Sequence, residues 1–194
     1  MIAFVRGKFL HKTPSQVIVD VNGVGYELHI SLNTYSDIQA DEFGQLYTYF
    51  HVREDSQMLF GFSQQAEKNI FIQLLSVSGV GASTARMMLS SLRPEEIIRA
   101  ITQGNAKQLE GIKGIGKKSA ERIILELRDK VSKLSMDVNN GVPTGNTLEL
   151  DALNALISLG ITRAMGEQAI SRVMKSEPAL LQVEDIIKKA LKTL

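Results

Sequence analysis

A short glycine pattern occurs twice in the sequence, at residues 77–85 and again at residues 112–120. Each copy has an apolar residue, any residue, a glycine, an apolar residue and a second glycine, followed by a helical apolar pattern. Two glycines around one apolar residue allow a tight turn against which another backbone can lie closely. The N–H groups at the start of the following helix are free to bind an anion. The pattern therefore predicts two phosphate-binding turns.

Basic side chains accompany the second copy, where Lys117, Lys118 and Arg122 fall on the first turns of the predicted helix. The apolar residue between the glycines, Val80 or Ile115, is expected to point inward and fix the turn. Nothing in either copy points to recognition of a base edge, so the expected binding is directed to a phosphate backbone and is independent of sequence. The predicted contacts with this backbone are Gly79, Val80, Gly81, Ser83 and Arg86 in the first copy, and Gly114, Ile115, Gly116, Lys117, Lys118 and Arg122 in the second.

These glycines have two other interpretations. In the first, they only turn the chain between packed helices, which a single copy would favour but a repeat with Lys117 and Lys118 does not. In the second, residues 111–117 form the Gly-x4-Gly-Lys loop of a nucleotide hydrolase. That loop needs Ser or Thr after its lysine to hold magnesium, and a buried strand before it. Lys118 takes the place of the Ser or Thr and residues 105–110 are polar, so the nucleotide-binding interpretation is rejected.

Charge is unevenly distributed along the chain, although 22 basic and 21 acidic residues give a net charge of only +1. Residues 64–133 carry a net charge of +5, against −3 for residues 1–63 and −1 for residues 134–194. A polyanion is therefore expected to bind the middle segment.

Composition excludes several classes of function. The sequence has no cysteine, which rules out disulfides, thiolate zinc sites and cysteine nucleophiles and is typical of a protein in the reducing cytoplasm. His11, His29 and His51 lack the spacing of metal ligands and no acid–base pair is evident, so no metal, no cofactor and no catalytic residue is predicted. No apolar run approaches the roughly 18 residues of a membrane span, so no membrane interaction is expected.

The first segment, residues 1–63, has the alternating apolar pattern of β-strands. Two such runs flank Asn22-Gly23, the strongest short sequence signal for a tight hairpin turn. Three further runs and one long polar connection, residues 31–44, complete the segment. Five short strands with one long connection predict an OB-type β-barrel, and an SH3-like barrel would leave a similar pattern.

The remaining residues have the helical period. Residues 64–133 predict an all-α domain of paired hairpins, with a helix start near Pro94. Residues 134–147 are rich in Gly, Pro and Asn and predict a flexible linker, and residues 148–194 predict three short helices. The predicted fold class is multidomain α+β, with an N-terminal OB-type barrel, a central domain of paired hairpins and a C-terminal three-helix domain.

The two hairpins resemble the helix-hairpin-helix DNA-binding motif. With residues 22–27, 52–57 and 61–62, they make the whole chain similar to the RuvA family of Holliday junction branch migration complex subunits, and residues 114–122 are the closest match. The resemblance implies a homotetramer without catalytic activity that holds a four-way DNA junction open and flat. It also implies recruitment of the RuvB ATPase, with the resolvase RuvC as a further partner, in recombination, DNA repair and the SOS response.

The resemblance also assigns an acidic pin to Glu54 and Asp55, in the connection between the last two predicted strands. Carboxylates there would repel ordinary duplex and keep the strands apart at the crossover. From the sequence alone, turn formation at an exposed hairpin tip explains the same residues equally well. The family commonly has a lysine where this chain has Ser83, and Arg86 on the next helical turn is the candidate replacement.

Residues 148–194 are expected to dock RuvB, because they follow a linker, are slightly acidic and hold more apolar residues than a small three-helix core can bury. Leu156, Leu159 and Ile161, around Gly160, are the predicted contacts. Two alternatives to a junction-binding subunit stay open. One is a general DNA-binding module without junction preference, and the other is an accessory domain of a DNA-repair enzyme.

Overall fold

The computed structural model describes residues 1–139, 147–176 and 182–193. The first elements are β1 (Phe4–Thr13), β2 (Gln16–Val21), β3 (Val24–His29), α1 (Leu32–Asp37), β4 (Phe43–Val52) and β5 (Gln57–Phe62). The helices that follow are α2 (Gln65–Leu75), α3 (Ala82–Ser91), α4 (Pro94–Thr102), α5 (Ala106–Glu110), α6 (Lys117–Asn139), α7 (Thr147–Ser158), α8 (Arg163–Ser176) and α9 (Val183–Thr193). Contacts divide the chain into two compact units, Met1–Asp137 and Val138–Leu194.

The five strands close into a barrel in the order β1-β2-β3-β5-β4. β3 and β5 pair in parallel where His29 lies opposite Phe60, and the other neighbouring strands are antiparallel. The predicted OB-type barrel is confirmed. The turn between β2 and β3 has φ angles of 52° at Asn22 and 90° at Gly23, the left-handed conformation that an Asn-Gly turn favours.

One buried apolar cluster continues from β5 of the barrel into the helices, and the barrel interior holds a second cluster of its own. Phe60 and Phe62 of β5 face α2, and the centre of each ring lies 5.0 Å from that of Phe71. All three belong to the buried cluster that continues through the helical hairpins. Strand β5 therefore packs against α2, the helix that follows it directly in the chain.

Helix α3 is attached to α1 by uncharged hydrogen bonds. Asn33 Nδ2 donates to the carbonyl oxygens of Leu89 and Leu92, at 2.6 Å and 3.0 Å. The backbone N–H of Leu32 donates to the Ser90 hydroxyl at 3.1 Å. The helix that follows the first glycine pattern is thus held against the barrel.

Glu67, in the first turn of α2, is buried against α1. Its carboxylate accepts hydrogen bonds from the Ser31 hydroxyl and, at 2.6 Å, from the Thr34 hydroxyl. Burial raises the pKa of Glu67, and the two hydroxyl hydrogen bonds oppose that increase. The carboxylate connects α2 to the barrel at an energetic cost that depends on its ionisation.

Helix α6 extends further than the sequence predicted. The predicted linker begins at residue 134, whereas the helix continues to Asn139. Residues 134–139 contain neither glycine nor proline, and the first helix-breaking residue after them is Gly141. Residues 140–146 of the predicted linker lie outside the described residues.

The second unit contains α7, α8 and α9, which correspond to the three helices predicted for residues 148–194. Its buried core is formed by Ala152, Leu153, Leu156, Ala169, Ile170, Val173, Ile186 and Ala190. Among the described helices of the chain, none is both long enough and apolar enough to cross a membrane.

Candidate nucleic-acid interface

The first glycine pattern forms a tight turn between α2 and α3. Gly79 has a left-handed φ of 88°, and the N–H of Val80 donates to the carbonyl of Val77 at 3.1 Å. Gly81 caps α3 in an extended conformation, with φ −87° and ψ 170°. The carbonyl of Gly81 accepts the first helical hydrogen bond, from Ala85 at 2.9 Å. Val80 points into the core as predicted, with 7% of its surface exposed.

The second glycine pattern repeats this geometry between α5 and α6. Gly114 has a φ of 90°, and the N–H of Ile115 donates to the carbonyl of Ile112 at 3.0 Å. The carbonyl of Gly116 accepts from Ala120 at 3.0 Å, as Gly81 does from Ala85. Ile115 is buried like Val80. The repeat seen in the sequence is therefore a repeat of backbone conformation.

The two glycines of each hairpin meet different requirements. Gly79 and Gly114 have left-handed φ angles, which side chains rarely adopt. Gly81 and Gly116 lie outside that region, and a Cβ added to either would meet no protein atom within 4 Å. The folded chain itself does not need glycine at these two positions. An open surface without a side chain at a helix start does suit the close approach of another backbone.

The lysine side chains of the second hairpin are accessible to a ligand. Lys117 and Lys118 are exposed in the first turn of α6, and neither forms an ion pair within the part of the chain that the structure describes. Lys113, also exposed, lies in the hairpin loop itself and was missed as a candidate from the sequence. The available signal was the repeat alignment, in which Lys113 is a basic residue inside the pattern where the first copy has Ser78. The first hairpin presents an exposed Ser83 where the second has Lys118.

Arg86, the predicted replacement for a first-hairpin lysine, points to the barrel instead. Its Nη1 donates to the carbonyl of Ser15 at 3.2 Å and lies 3.4 Å from Nδ1 of His29. Burial, followed by the charge of Arg86, lowers the pKa of His29, and Glu27 opposes this effect. The Arg86 guanidinium therefore contacts the barrel, because residues at the strand ends beside α3 supply hydrogen-bond acceptors.

Arg122, predicted as a DNA contact of the second hairpin, joins the two hairpins. Its Nη1 donates to the carbonyl of Ser78 at 3.2 Å. The same nitrogen lies 3.8 Å from the position that a Cβ on Gly79 would occupy. The guanidinium thus lies against the first turn while its backbone belongs to the helix of the second.

Glu54 and Asp55 lie at the tip of the β4–β5 hairpin, where the sequence placed them. The N–H of Arg53 donates to the carbonyl of Ser56 at 2.8 Å and closes the turn around the two acids. Both carboxylates are exposed, and among the described residues neither forms an ion pair. We call residues 53–56 the acidic turn. It presents two unneutralised negative charges in adjacent positions.

The predicted RuvB contacts differ in exposure. Leu156 is fully buried in the core of the second unit, so it cannot contact a partner in the folded protein. Ile161 is half-buried and packs against the same core. Leu159 is 62% exposed. The prediction grouped these residues by their position near Gly160, but the packing of α8 and α9 on α7 decides which side chain faces inward. Other exposed apolar residues of this unit are Leu150, Ile157, Met165 and Leu191.

Within the described ranges, no cluster of His, Asp or Glu side chains is placed to hold a metal ion. The arrangement that stands out chemically is the pair of open glycine turns, with exposed lysines beside the second turn.

Together the fold and these turns define a class: a barrel-bearing protein with tandem helix-hairpin-helix motifs and a separate helical C-terminal unit. Residues 1–61 match the RuvA N terminal domain, residues 71–129 the SAM-like helix-hairpin-helix tandem, and residues 149–194 the RuvA C-terminal domain. The chain belongs to the RuvA family.

Relatives match along the full length of the chain. A protein of Christiangramia forsetii is 44% identical over 194 residues, which cover all of both chains. One of Syntrophotalea carbinolica is 45% identical over 197 residues, covering all of this chain and 99% of the relative. One of Bacteroides thetaiotaomicron is 41% identical over 202 residues, covering all of both. Each is named Holliday junction branch migration complex subunit RuvA.

Proposed function

We propose that this chain is the DNA-binding subunit of a Holliday junction branch migration complex and holds the four-way junction through its two hairpins. The observation that carries the proposal is the open surface at Gly81 and Gly116, where the protein alone gives no reason for the missing side chain. Helix-start N–H groups beside these glycines suit phosphate oxygens. Contacts of this kind position a duplex without reading its sequence.

Charge supports a role for more than one copy of the chain. The helical segment at residues 64–133 has a net charge of +5, which is modest for a polyanion-binding surface. A homotetramer would combine four such segments into one basic face large enough for the arms of a junction. In this proposal the subunit has no catalytic role, and ATP hydrolysis belongs to the RuvB partner.

Junction preference is proposed to come from the acidic turn. Exposed carboxylates at Glu54 and Asp55 would repel the phosphates of a continuous duplex and would be tolerated at the open centre of a junction. The variant carrying Glu54→Gln and Asp55→Asn keeps the shape of both side chains and removes both charges. It should bind plain duplex more tightly at low salt while the fold is unchanged. Unaltered duplex affinity would leave these residues as turn formers only.

The C-terminal unit is proposed to recruit RuvB through its exposed apolar side chains, with Leu159 the most exposed of the predicted contacts. The relatives' name places them in a complex, and a binding surface on this unit would require these exposed apolar side chains to form a contiguous patch. A contact with the resolvase RuvC is a further part of the proposal that rests on the family resemblance.

The decisive experiment compares binding of the full chain to a labelled four-way junction and to a linear duplex of equal length at the same salt concentration. Tighter binding to the junction, unaffected by base sequence, supports the proposal. Equal binding to both would favour the alternative of a general DNA-binding module. The oligomeric state in solution, measured by light scattering, tests the tetramer separately.

A further inference from the structure

A row of side-chain contacts crosses the barrel from helix α3 to the acidic turn. It begins at Arg86, whose Nη1 lies 3.4 Å from His29 Nδ1. The His29 ring lies 5.6 Å from that of Phe60, which in turn lies 6.2 Å, edge to face, from that of His51. The row ends where Arg53 Nε donates to His51 Nε2 at 3.0 Å. We call these five residues the bridging row.

Both ends of the bridging row are fixed to backbone. At one end, Arg86 also donates to the Ser15 carbonyl at 3.2 Å. At the other, the N–H of Arg53 closes the acidic turn on the Ser56 carbonyl at 2.8 Å. Phe60, in the middle, is only 3% exposed and belongs to the buried cluster that continues from β5 into the helices. The row therefore connects the helix of the first hairpin to the residue that begins the acidic turn.

The hydrogen-bonding roles within the row are consistent with one another. A guanidinium has no acceptor, so each histidine nitrogen that faces an arginine must be the unprotonated acceptor. Burial and the charge of Arg86 lower the pKa of His29, against the opposing charge of Glu27, which favours this neutral state. Each imidazole thus receives a hydrogen bond from one end of the row and a ring contact from Phe60.

We propose that the bridging row positions the acidic turn relative to the first hairpin, and that Arg86 is a positioning residue for junction selectivity rather than a phosphate contact. The inference rests on the proposed function of the hairpins and the acidic turn. Hairpins that bind phosphates accept any duplex, so selectivity requires negative charge at a defined place beside the bound backbone. Charge repulsion falls with distance, and an acidic turn held in place discriminates better than one that moves away.

The test uses Arg86→Gln and His51→Leu, which lie toward opposite ends of the row, and Arg99→Gln as a control. Arg99 is exposed on α4 and lies outside the row, so its replacement removes the same charge without breaking a row contact. Each variant of the full chain is tested for binding to a four-way junction and to an equal-length duplex across a salt series. Thermal unfolding and amide hydrogen exchange at residues 53–56 are measured in parallel.

Both row variants should lower the junction-to-duplex affinity ratio by roughly 2- to 30-fold, the range expected when a side-chain network between two sites is broken. The salt dependence of binding should not change, and exchange at residues 53–56 should accelerate. Arg99→Gln should leave the ratio and the exchange as they are. His51→Leu removes no charge, so it keeps the test valid if Arg86→Gln destabilises the chain.

A double-mutant cycle separates failure of the row from failure of the acidic turn. Once Glu54→Gln and Asp55→Asn have removed the acidic charge, adding Arg86→Gln should lower selectivity no further. Additive effects, unchanged selectivity in both row variants, or equal loss of both affinities with a shallower salt dependence would overturn the proposal. If the acid-neutralised protein retains full selectivity, the function proposed for the acidic turn is wrong. Unchanged exchange at residues 53–56 in the row variants would then overturn the row as well.

Discussion

Alanine at the second glycine of each hairpin tests backbone-directed binding most directly. Gly81 and Gly116 lack the left-handed φ that would require glycine, and an added Cβ would meet no protein atom within 4 Å at either position. The folded protein should therefore accept Gly81→Ala and Gly116→Ala. Any loss of DNA affinity in these variants would then come from a blocked contact with the DNA and not from a change in the fold.

Two opposing contributions set the expected change in stability. Alanine restricts the unfolded chain more than glycine does, which stabilises the protein by about 0.4–1 kcal/mol. Both glycines precede a helix, however, and alanine is a poorer N-cap than glycine by up to about 1 kcal/mol. The free energy of unfolding, measured in urea, should therefore stay within about 1 kcal/mol of the parent value. Gly114→Ala should behave differently, because its left-handed φ of 90° costs an alanine about 1–2 kcal/mol.

The effect on DNA binding should be much larger. The added methyl group would occupy the space in which a phosphate oxygen meets the helix-start N–H groups. A hydrogen bond to a charged group contributes about 1.5–3 kcal/mol, so losing one such contact should weaken binding roughly 10- to 150-fold. Because the contact is to phosphate, four-way junction and duplex should lose affinity together.

Fluorescence anisotropy with labelled junction and duplex at one salt concentration measures this loss. Gly25→Ala is a matched control, because Gly25 is exposed on the barrel and its added Cβ would make only an ordinary contact of 3.6 Å with Ile18. That variant should bind like the parent. Full junction affinity in a folded Gly116→Ala protein would refute the close approach of a DNA backbone to the second hairpin.

Three further predictions concern charge, pH and the partner. Lys117→Ala with Lys118→Ala should weaken binding to all DNA sequences alike and lower the slope of log K against log salt by about 0.9 per lost phosphate contact; an unchanged slope would contradict this. Because the pKa of Glu67 is raised in the folded state, the stability it contributes is fully present below the unfolded pKa and is lost as pH rises through the folded one. The parent's free energy of unfolding in urea should therefore exceed that of Glu67→Gln by a larger amount at pH 4 than at pH 8. The same difference between the two proteins at both pH values would show that burial of Glu67 has no such effect. Leu159→Ser should abolish stimulation of RuvB-driven branch migration with junction binding intact, whereas Leu156→Ser should lower the unfolding temperature of the C-terminal unit; continued stimulation by Leu159→Ser would exclude that side chain as a contact.

The barrel and the hairpins are predictable from the sequence because their causes are local. The left-handed turns at Asn22-Gly23, Gly79 and Gly114 each meet a conformational requirement of a few consecutive residues. Apolar alternation likewise assigns the faces of the strands. The inward position of Val80 and Ile115 follows from the same short pattern.

Side-chain partners are not predictable in this way, because they come from distant parts of the chain. The spacing places Arg86 one helical turn after Ser83, yet the structure brings the carbonyl of Ser15 within its reach. Arg122 finds its acceptor at Ser78 for the same reason. Both arginines belong to a basic segment, but charge alone does not say whether a guanidinium faces solvent or a carbonyl oxygen. The same holds for an apolar side chain at Leu156, because its burial depends on how three helices pack together.

The two hairpins share a backbone conformation but differ in what surrounds it. The second has exposed lysines at 113, 117 and 118, where the first has Ser78, Ala82 and Ser83. The helix of the first hairpin is instead attached to the barrel, through Arg86 and the hydrogen bonds of Asn33. Attraction between lysines and phosphates acts over roughly 10 Å at moderate salt, so it tolerates small displacements of the lysines. Junction preference, in contrast, requires the acidic turn to be held at a defined position beside the bound backbone. The lysine contribution to the affinity for any duplex should therefore come from the second hairpin, and the preference for a junction should depend on the attachment of the first. The lysine and Arg86 variants separate these contributions, because the lysine variants should lower both affinities by the same factor, whereas the Arg86 variant should change the junction-to-duplex ratio.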